Sequence, residues 1–388
     1  MKIKCEPEDF RVDELTDVVP TQGNYTFYKL TKRGIGTLEA IDFVLQRWEL
    51  PRHAVSYGGL KDRHALTSQY LTIRHGPPRS LDQPSWKIEF LGNVREAYTA
   101  QQIRANQFLV VIRQLTREQL SDLQAAFHVA VRDGVPNYFD DQRFGSVGYS
   151  GEFVGKYWTL QNYERAFWLA MADPNPHDDA AEKNEKQILR DNWGNWAECK
   201  AQLARSHRRS LISFLADRPT DFRGALSRIR QDMRSLYLSA YQSALWNRML
   251  AMWLNNHFRR EQLTTMLLKL DAMPVFTSAD DEQRQLLAST TLPLPSVRAK
   301  LPPGEKLEIL TEILKQEGME VKQMRIKHPK DSFFSRGDRP VVVRPESGTA
   351  TSGPDDKYPK RQLLRLEFNL PRGAYATMLI KRLGLSEE

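Results

Sequence analysis

Near its end the chain reads QLLRLEFNLP, with Leu364, Leu366, Phe368 and Leu370 on one face of an extended segment and Arg365, Glu367 and Asn369 on the other. A strand with one apolar face must bury that face in a sheet, yet no comparable alternation lies just before it. The matching segments lie far upstream. Asn24–Leu30, Ser68–Arg74, Trp86–Leu91 and Asn106–Arg113 all read as strands, the last rich in β-branched residues. Between the two ends, residues 187–270 read as mainly helical, with Ser239–Trp253 densely apolar. The economical prediction is one sheet domain built from both chain ends and interrupted by an insertion. No internal repeat is evident.

Helices complete the first third. Thr37 reads as an N-cap with Glu39 in the first turn, and Leu38, Ile41, Val44, Leu45 and Trp48 follow at helical spacing before Pro51. Thr116 and Gln119 make a capping-box pattern, and the helix they open ends at Gly134 and Pro136. The fold class is therefore α+β, with a mixed or antiparallel sheet. Residues 1–149 with 346–388 are expected to form one domain and 150–345 the insertion. Ala172–Lys186 reads as an exposed polar connection, and Pro345–Pro359 as a loop rich in Pro, Gly, Ser, Thr and Asp.

Charge narrows the function classes. A formal net charge of +8 over 388 residues favours a polyanionic partner such as nucleic acid, although a solvated basic face gives the same balance. Two cysteines, Cys5 and Cys199, cannot frame a disulfide-stapled fold and point to a reducing compartment. The start, MKIKCEPED, has no apolar signal core, and no apolar run reaches the ~20 residues of a membrane span, so a cytoplasmic protein is expected. The histidines lack metal-ligand spacing, which argues against a zinc site. Gly58-Gly59-Leu60-Lys61 lacks the spacing of a phosphate loop, and there is no dinucleotide fingerprint.

What remains is a set of polar groups among aromatic rings: Asn106-Gln107-Phe108, Asn137-Tyr138-Phe139, Gln142-Arg143-Phe144 and Gly373-Ala374-Tyr375. Rings stack on unpaired bases, and amides pair with the edge of a flipped base. Beside them stands one isolated carboxylate, Asp62, between Lys61 and Arg63. Read alone, Asp62 is either half of a surface ion pair or a reactive carboxylate. At a reference pKa near ~3.9 it is ionised at neutral pH without a partner base. Adjacent side chains of an extended segment point to opposite faces, so Lys61 and Arg63 are poor partners for it and suit RNA phosphates or scaffold contacts. Two basic runs in the insertion, Arg205–Arg209 and Arg325–Lys330, suit either phosphate contacts or a solvated face.

GLKDRHALTSQ, residues 59–69, resembles the Gly-x-Lys-Asp-(basic)-x-Ala-x-Thr-x-Gln motif of the TruD family of pseudouridine synthases. PEDFRV at 7–12, NQF at 106–108, GVPNYFDDQRFG at 134–145, SAYQSALWN at 239–247 and LPRGAYAT at 370–377 resemble further family segments, in the family's order. Two departures stand out: Ala105 replaces a glycine, and residues 146–235 look longer than in compact members.

The resemblance implies isomerisation of a tRNA uridine, typically at position 13, to pseudouridine, with neither metal nor cofactor. It implies Asp62 as the catalytic carboxylate, by attack on C1′ or by elimination through a glycal. Phe108 would stack on the target uracil, Asn106 would hydrogen-bond it, and Phe10 and Tyr375 would add rings around the pocket. Lys4 would stand near the aspartate as the cation that stabilises it. Asn137, Gln142 and Arg143 would shape the pocket, contact the RNA backbone or serve as structural hydrogen-bonding groups. The partner expected is tRNA, the state monomeric, with no membrane and no metal. The alternatives are a catalytically silent RNA-binding or folding factor on this scaffold, and a hydrolase using Asp62 as an acid–base group.

Overall fold

In the computed structural model of the protein, residues 1–385 are described. The chain divides into two compact units, Met1–Val135 with Val342–Glu388, and Pro136–Val341. The first unit is a ten-stranded sheet with helices against it. Its long strands are β1 (Phe10–Thr16), β2 (Tyr25–Arg33), β3 (Leu66–Arg74), β4 (Trp86–Val94), β5 (Ile103–Leu115), β6 (Glu346–Pro354) and β7 (Gln362–Pro371), in the spatial order β6-β7-β5-β1-β3-β2-β4. The β1–β3 pair is parallel and the other pairs of long strands are antiparallel. It is an α+β architecture on a mixed sheet.

The alternation at the chain end now has its partner. β7 pairs antiparallel with β5, Leu366 opposite Val110 and Phe368 opposite Phe108. The helix Thr37–Trp48 lays Ile41, Val44, Leu45 and Trp48 on Tyr28, Leu30, Leu71 and Ile73 of the sheet. Ile41 is 1% exposed, so its burial stabilises by about 1.5–3 kcal/mol. Phe27, one residue from Tyr28, packs in a separate cluster with Val94 and Tyr98, as the period of two requires. Arg113, buried on β5, meets Asp9 at 2.9 Å, Glu6 at 3.2 Å, Asp355 at 3.2 Å and Asp356 at 2.6 Å, tying both chain ends to the sheet.

The structure differs from the sequence expectations in four places. Glu346–Pro354 is not a loop but the edge strand β6, held by its ladder to β7 while most of its side chains stay exposed. Within 172–186, Asp173, Asn175, Asp178 and Lys186 are buried, and the helix Ala180–Asp191 begins at the Asp179 cap. The Lys186 ammonium reaches both Asp178 oxygens, at 2.7 and 2.8 Å, which compensates the burial of both charges. Gly36, not Thr37, is the N-cap of the first helix. Finally, residues 136–149, expected with the chain ends, belong to the second unit: Asn137 is bonded to Pro340 and Arg339, and Phe139 to Asn247.

The second unit is mostly helical and is organised around Gln231–His257, whose Tyr241, Trp246, Met249, Leu250 and Trp253 are buried. Among the described residues, no helix is long and apolar enough to cross a membrane.

Candidate active site

The loop from Gly58 to His64 joins the short strand Val55–Tyr57 to β3, and its backbone is anchored by the buried residues Gln69, Thr37 and Lys32. At Gly58 a Cβ would lie 2.5 Å from the end of the Ile103 side chain, which would have to shift to admit it. The Gly59 carbonyl accepts from Gln69 Nε2 at 2.9 Å, and the Lys61 amide donates to Thr37 Oγ1 at 2.9 Å. Thr37 Oγ1 in turn donates to Gln69 Oε1 at 3.0 Å, so one buried pair pins two points of the loop. Lys32, 1% exposed on β2, reaches the Asp62 carbonyl at 2.5 Å and the Ile35 carbonyl at 2.8 Å.

The side chain of Asp62 is 21% exposed and is held at both oxygens. Oδ1 accepts from the His64 amide at 2.9 Å, and Oδ2 from Lys4 Nζ at 3.0 Å. Burial pushes the Asp62 carboxyl up, but the His64 amide and the Lys4 ammonium outweigh it and hold the group below its ordinary range. A carboxylate so held stays ionised at any pH near neutrality. Lys4 has φ 55°, a left-handed conformation uncommon outside glycine and one that costs on the order of 1–3 kcal/mol unless its surroundings enforce it. Its ammonium also lies 4.4 Å from the centre of the Phe10 ring.

Aromatic contacts continue from there. Phe10 meets Phe108 edge-on with centroids 6.3 Å apart, and Phe108 stacks on Phe368 at 5.4 Å and 19°. Phe10 and Phe108 are both buried, so one face of the Phe108 ring is already covered. Asn106 sits two residues away on β5, and its Oδ1 accepts from Lys61 Nζ at 2.5 Å. Lys61 also faces Glu14 at 2.7 Å, and Glu14 is fully buried beneath Tyr70 and Tyr98, from which it accepts at 3.1 and 2.9 Å. Of the two cations flanking Asp62, Lys61 is thus a scaffold group. Arg63 is exposed and lies 3.4 Å from Glu39. Tyr375 is the N-cap of the helix Ala376–Arg382, which follows β7 beyond the Leu370–Asn106 pair.

Lys4, Phe10, Asp62, Asn106, Phe108 and Tyr375 all lie in the first unit. Asn137, Gln142 and Arg143 lie in the second. The Asn137 amide is fully engaged: Nδ2 donates to Pro340 at 3.0 Å, while Oδ1 accepts from Arg339 at 2.6 Å. Arg143 donates to Ser243 Oγ at 3.2 Å and lies over the Phe139 ring at 5.6 Å. Gln142 is exposed on a short 3-10 turn.

Lys32, Glu14, Thr37 and Gln69 are missing from the sequence-derived site. Lys32 did leave a signal, since it continues the buried parity of Tyr28 and Leu30 and so puts a cation on an apolar face. Burial pulls its ammonium down to about 8; the Asp62 charge works in the other direction.

The family described as "TruD: tRNA pseudouridine synthase D (TruD)" matches residues 1–383. A relative from Methanococcus maripaludis, named "Probable tRNA pseudouridine synthase D 1", is 30% identical over 98% of this chain and 99% of its own length. The "tRNA pseudouridine synthase D" of Aquifex aeolicus is 27% identical over 100% of this chain and 99% of its own. A solved TruD structure from Methanosarcina mazei superposes with a TM-score of 0.74 at 24% identity, covering 100% of this chain and 94% of that one, and so shares the fold. With its whole length matched in this way, the chain belongs to the TruD family.

Proposed function

We propose that Asp62 is the carboxylate with which this TruD-family enzyme converts the uridine at position 13 of tRNA to pseudouridine. The observation that carries the reading is the state of Asp62: ionised, partly open to solvent, and fixed by the His64 amide and by Lys4, whose ammonium also lies 4.4 Å from the Phe10 ring. In the isomerisation the N1–C1′ bond breaks, the uracil turns, and C5 bonds to C1′. C5 gives up its hydrogen as a proton and N1 takes one up, so no atom is gained or lost. A carboxylate that needs no partner base suits this chemistry.

Phe108 stacks on the uracil through the ring face opposite Phe368, and Asn106 addresses the base edge with its amide group, its carbonyl being committed to Lys61. Phe10 and Tyr375 wall the pocket, and Gln142 contacts the RNA backbone. Asn137 acts as a structural group, because both ends of its amide already have protein partners, and Arg143 is anchored to Ser243 through Nε. Asp62, Lys4, Phe108 and Tyr375 all lie in the first unit, so one chain supplies them all; we propose a monomeric enzyme of the cytoplasm. Mapping pseudouridine at base resolution in RNA from cells with and without the gene tests the reading. Loss of a single tRNA site at position 13 is expected; an unchanged map would overturn it.

A further inference from the structure

The second unit carries a cavity of about 740 Å³ whose lining has no carboxylate. Arg298, Arg325, Lys327 and Lys330 line it, all exposed. Among the described residues, none of the four makes a side-chain hydrogen bond or an ion pair. Several other cations of the same unit are neutralised. Arg234 is bidentate to Asp331 at 2.8 and 2.9 Å, Lys156 meets Glu317 at 2.9 Å, and Arg208, from the other basic run, is tied to Glu182 and Glu185. Four unpaired cations around one cavity make a local positive potential that attracts an anion.

The cavity also has features that suit a nucleotide rather than a simple ion. Phe333 is 54% exposed, and the Arg298 guanidinium lies over its ring with Cζ 4.9 Å from the centroid. A half-open ring backed by a guanidinium is a surface on which a base stacks. Ser296, 1% exposed, lines the same cavity with a hydroxyl that no protein group satisfies.

We propose that this cavity is an RNA-binding site, in which Arg298, Arg325, Lys327 and Lys330 contact phosphates and Phe333 stacks on an unpaired base of the tRNA. It rests on the reading of tRNA as substrate and adds a second point of grip, in the unit that does not hold Asp62. Its role is affinity, not chemistry.

The test uses full-length protein and a tRNA transcript, with affinity measured by fluorescence anisotropy across a salt series. Replacing Arg298, Arg325, Lys327 and Lys330 together by Gln should weaken binding at least about tenfold and reduce the slope of log Kd against log salt by roughly 3. Phe333→Ala should weaken it roughly fivefold or more, and Phe333→Trp should restore it. At saturating tRNA every one of these variants should turn over like the wild type. A control replaces the exposed Lys183, Arg223, Lys306 and Lys315 by Gln, removing the same charge from the same unit. Wild-type affinity in the patch variants, or an equal loss in the control, would overturn the proposal. If the wild type bound but did not modify tRNA, the functional reading would fall while a loss in the patch variants alone would still support this site. An acidic protein segment as the true occupant would show as unchanged tRNA affinity.

Discussion

Around Asp62, Lys4 ends on the carboxylate, Lys32 on two backbone carbonyls and Lys61 on Glu14 and Asn106. Around Phe333, by contrast, Arg298, Arg325, Lys327 and Lys330 have no hydrogen-bond or ion-pair partner for their side chains among the described residues, Arg298 lying only over the Phe333 ring. The two regions are comparably rich in cations, and they spend them differently. At Asp62 the charges are consumed internally, fixing one carboxylate in place and in its ionised state. At Phe333 they are held open, which gives a surface that can attract a polyanion but cannot orient a reaction. Preorganised pairing belongs to catalysis, and unsatisfied charge to capture. If the contrast is real, substitutions in the first region should act on turnover and substitutions in the second on affinity.

The largest effect expected is on Asp62 itself. Asp62→Asn should lower the single-turnover rate by at least roughly 10²–10⁴-fold while tRNA affinity stays within a few-fold. Next is Lys32→Met, which frees the carbonyls of Asp62 and Ile35 and lets the loop shift; a rate loss on the order of 10²-fold is expected, read in rapid-quench assays. The same residue carries a pH signature. Its folded value of about 8 lies below its ordinary 10.5, so below pH 8 the penalty of burying the ammonium is fully present. Between about 8 and 10.5 the unfolded chain holds a proton that the folded chain has lost, so this group makes stability rise with pH. Chemical denaturation across that window should show the rise in the wild type and lose it in Lys32→Met.

Phe108→Ala should weaken substrate capture by roughly 1–3 kcal/mol if the ring stacks on the uracil. It will also destabilise the fold by about 3–5 kcal/mol, because the Phe368 contact is lost. Phe108→Leu separates the two, keeping most of the volume and none of the aromatic face; normal substrate affinity in that variant would return Phe108 to a packing role. The smallest effect is on Lys4. The folded Asp62 carboxyl lies below its ordinary range, so its stabilising contribution is present above that range and is lost as pH falls through the folded value. Lys4→Met removes an opposing charge, so the acid limb of the pH–rate profile should move to higher pH. A limb that stayed put would show that the His64 amide alone holds the carboxylate.

The sheet was legible because β7 is amphipathic with a period of two, and the only strands able to cover its apolar face lie upstream. β6 was not, because an edge strand with most of its side chains in solvent needs no apolar alternation; its ladder to β7 uses backbone groups common to every sequence. The buried polar residues of 172–186 misled for a related reason: Asp178 and Lys186 look solvated until one sees that they neutralise each other. The pairing of Lys4 with Asp62 was legible only through the family resemblance, since 58 residues separate the two. The second layer was hidden, since Lys32, Thr37 and Gln69 reach the loop across 30, 24 and 10 residues of sequence, and no local pattern records such a contact.

The division of labour between the two regions has a direct measurement. Tritium release from tRNA carrying [5-³H]uridine reports the loss of hydrogen from C5, and it can be followed in a single turnover with enzyme at saturation. Asp62→Asn should release none above background, while the Gln variant at Arg298, Arg325, Lys327 and Lys330 should release at the wild-type rate. Release by Asp62→Asn at a rate near the wild type would contradict the assignment of the chemistry to this carboxylate.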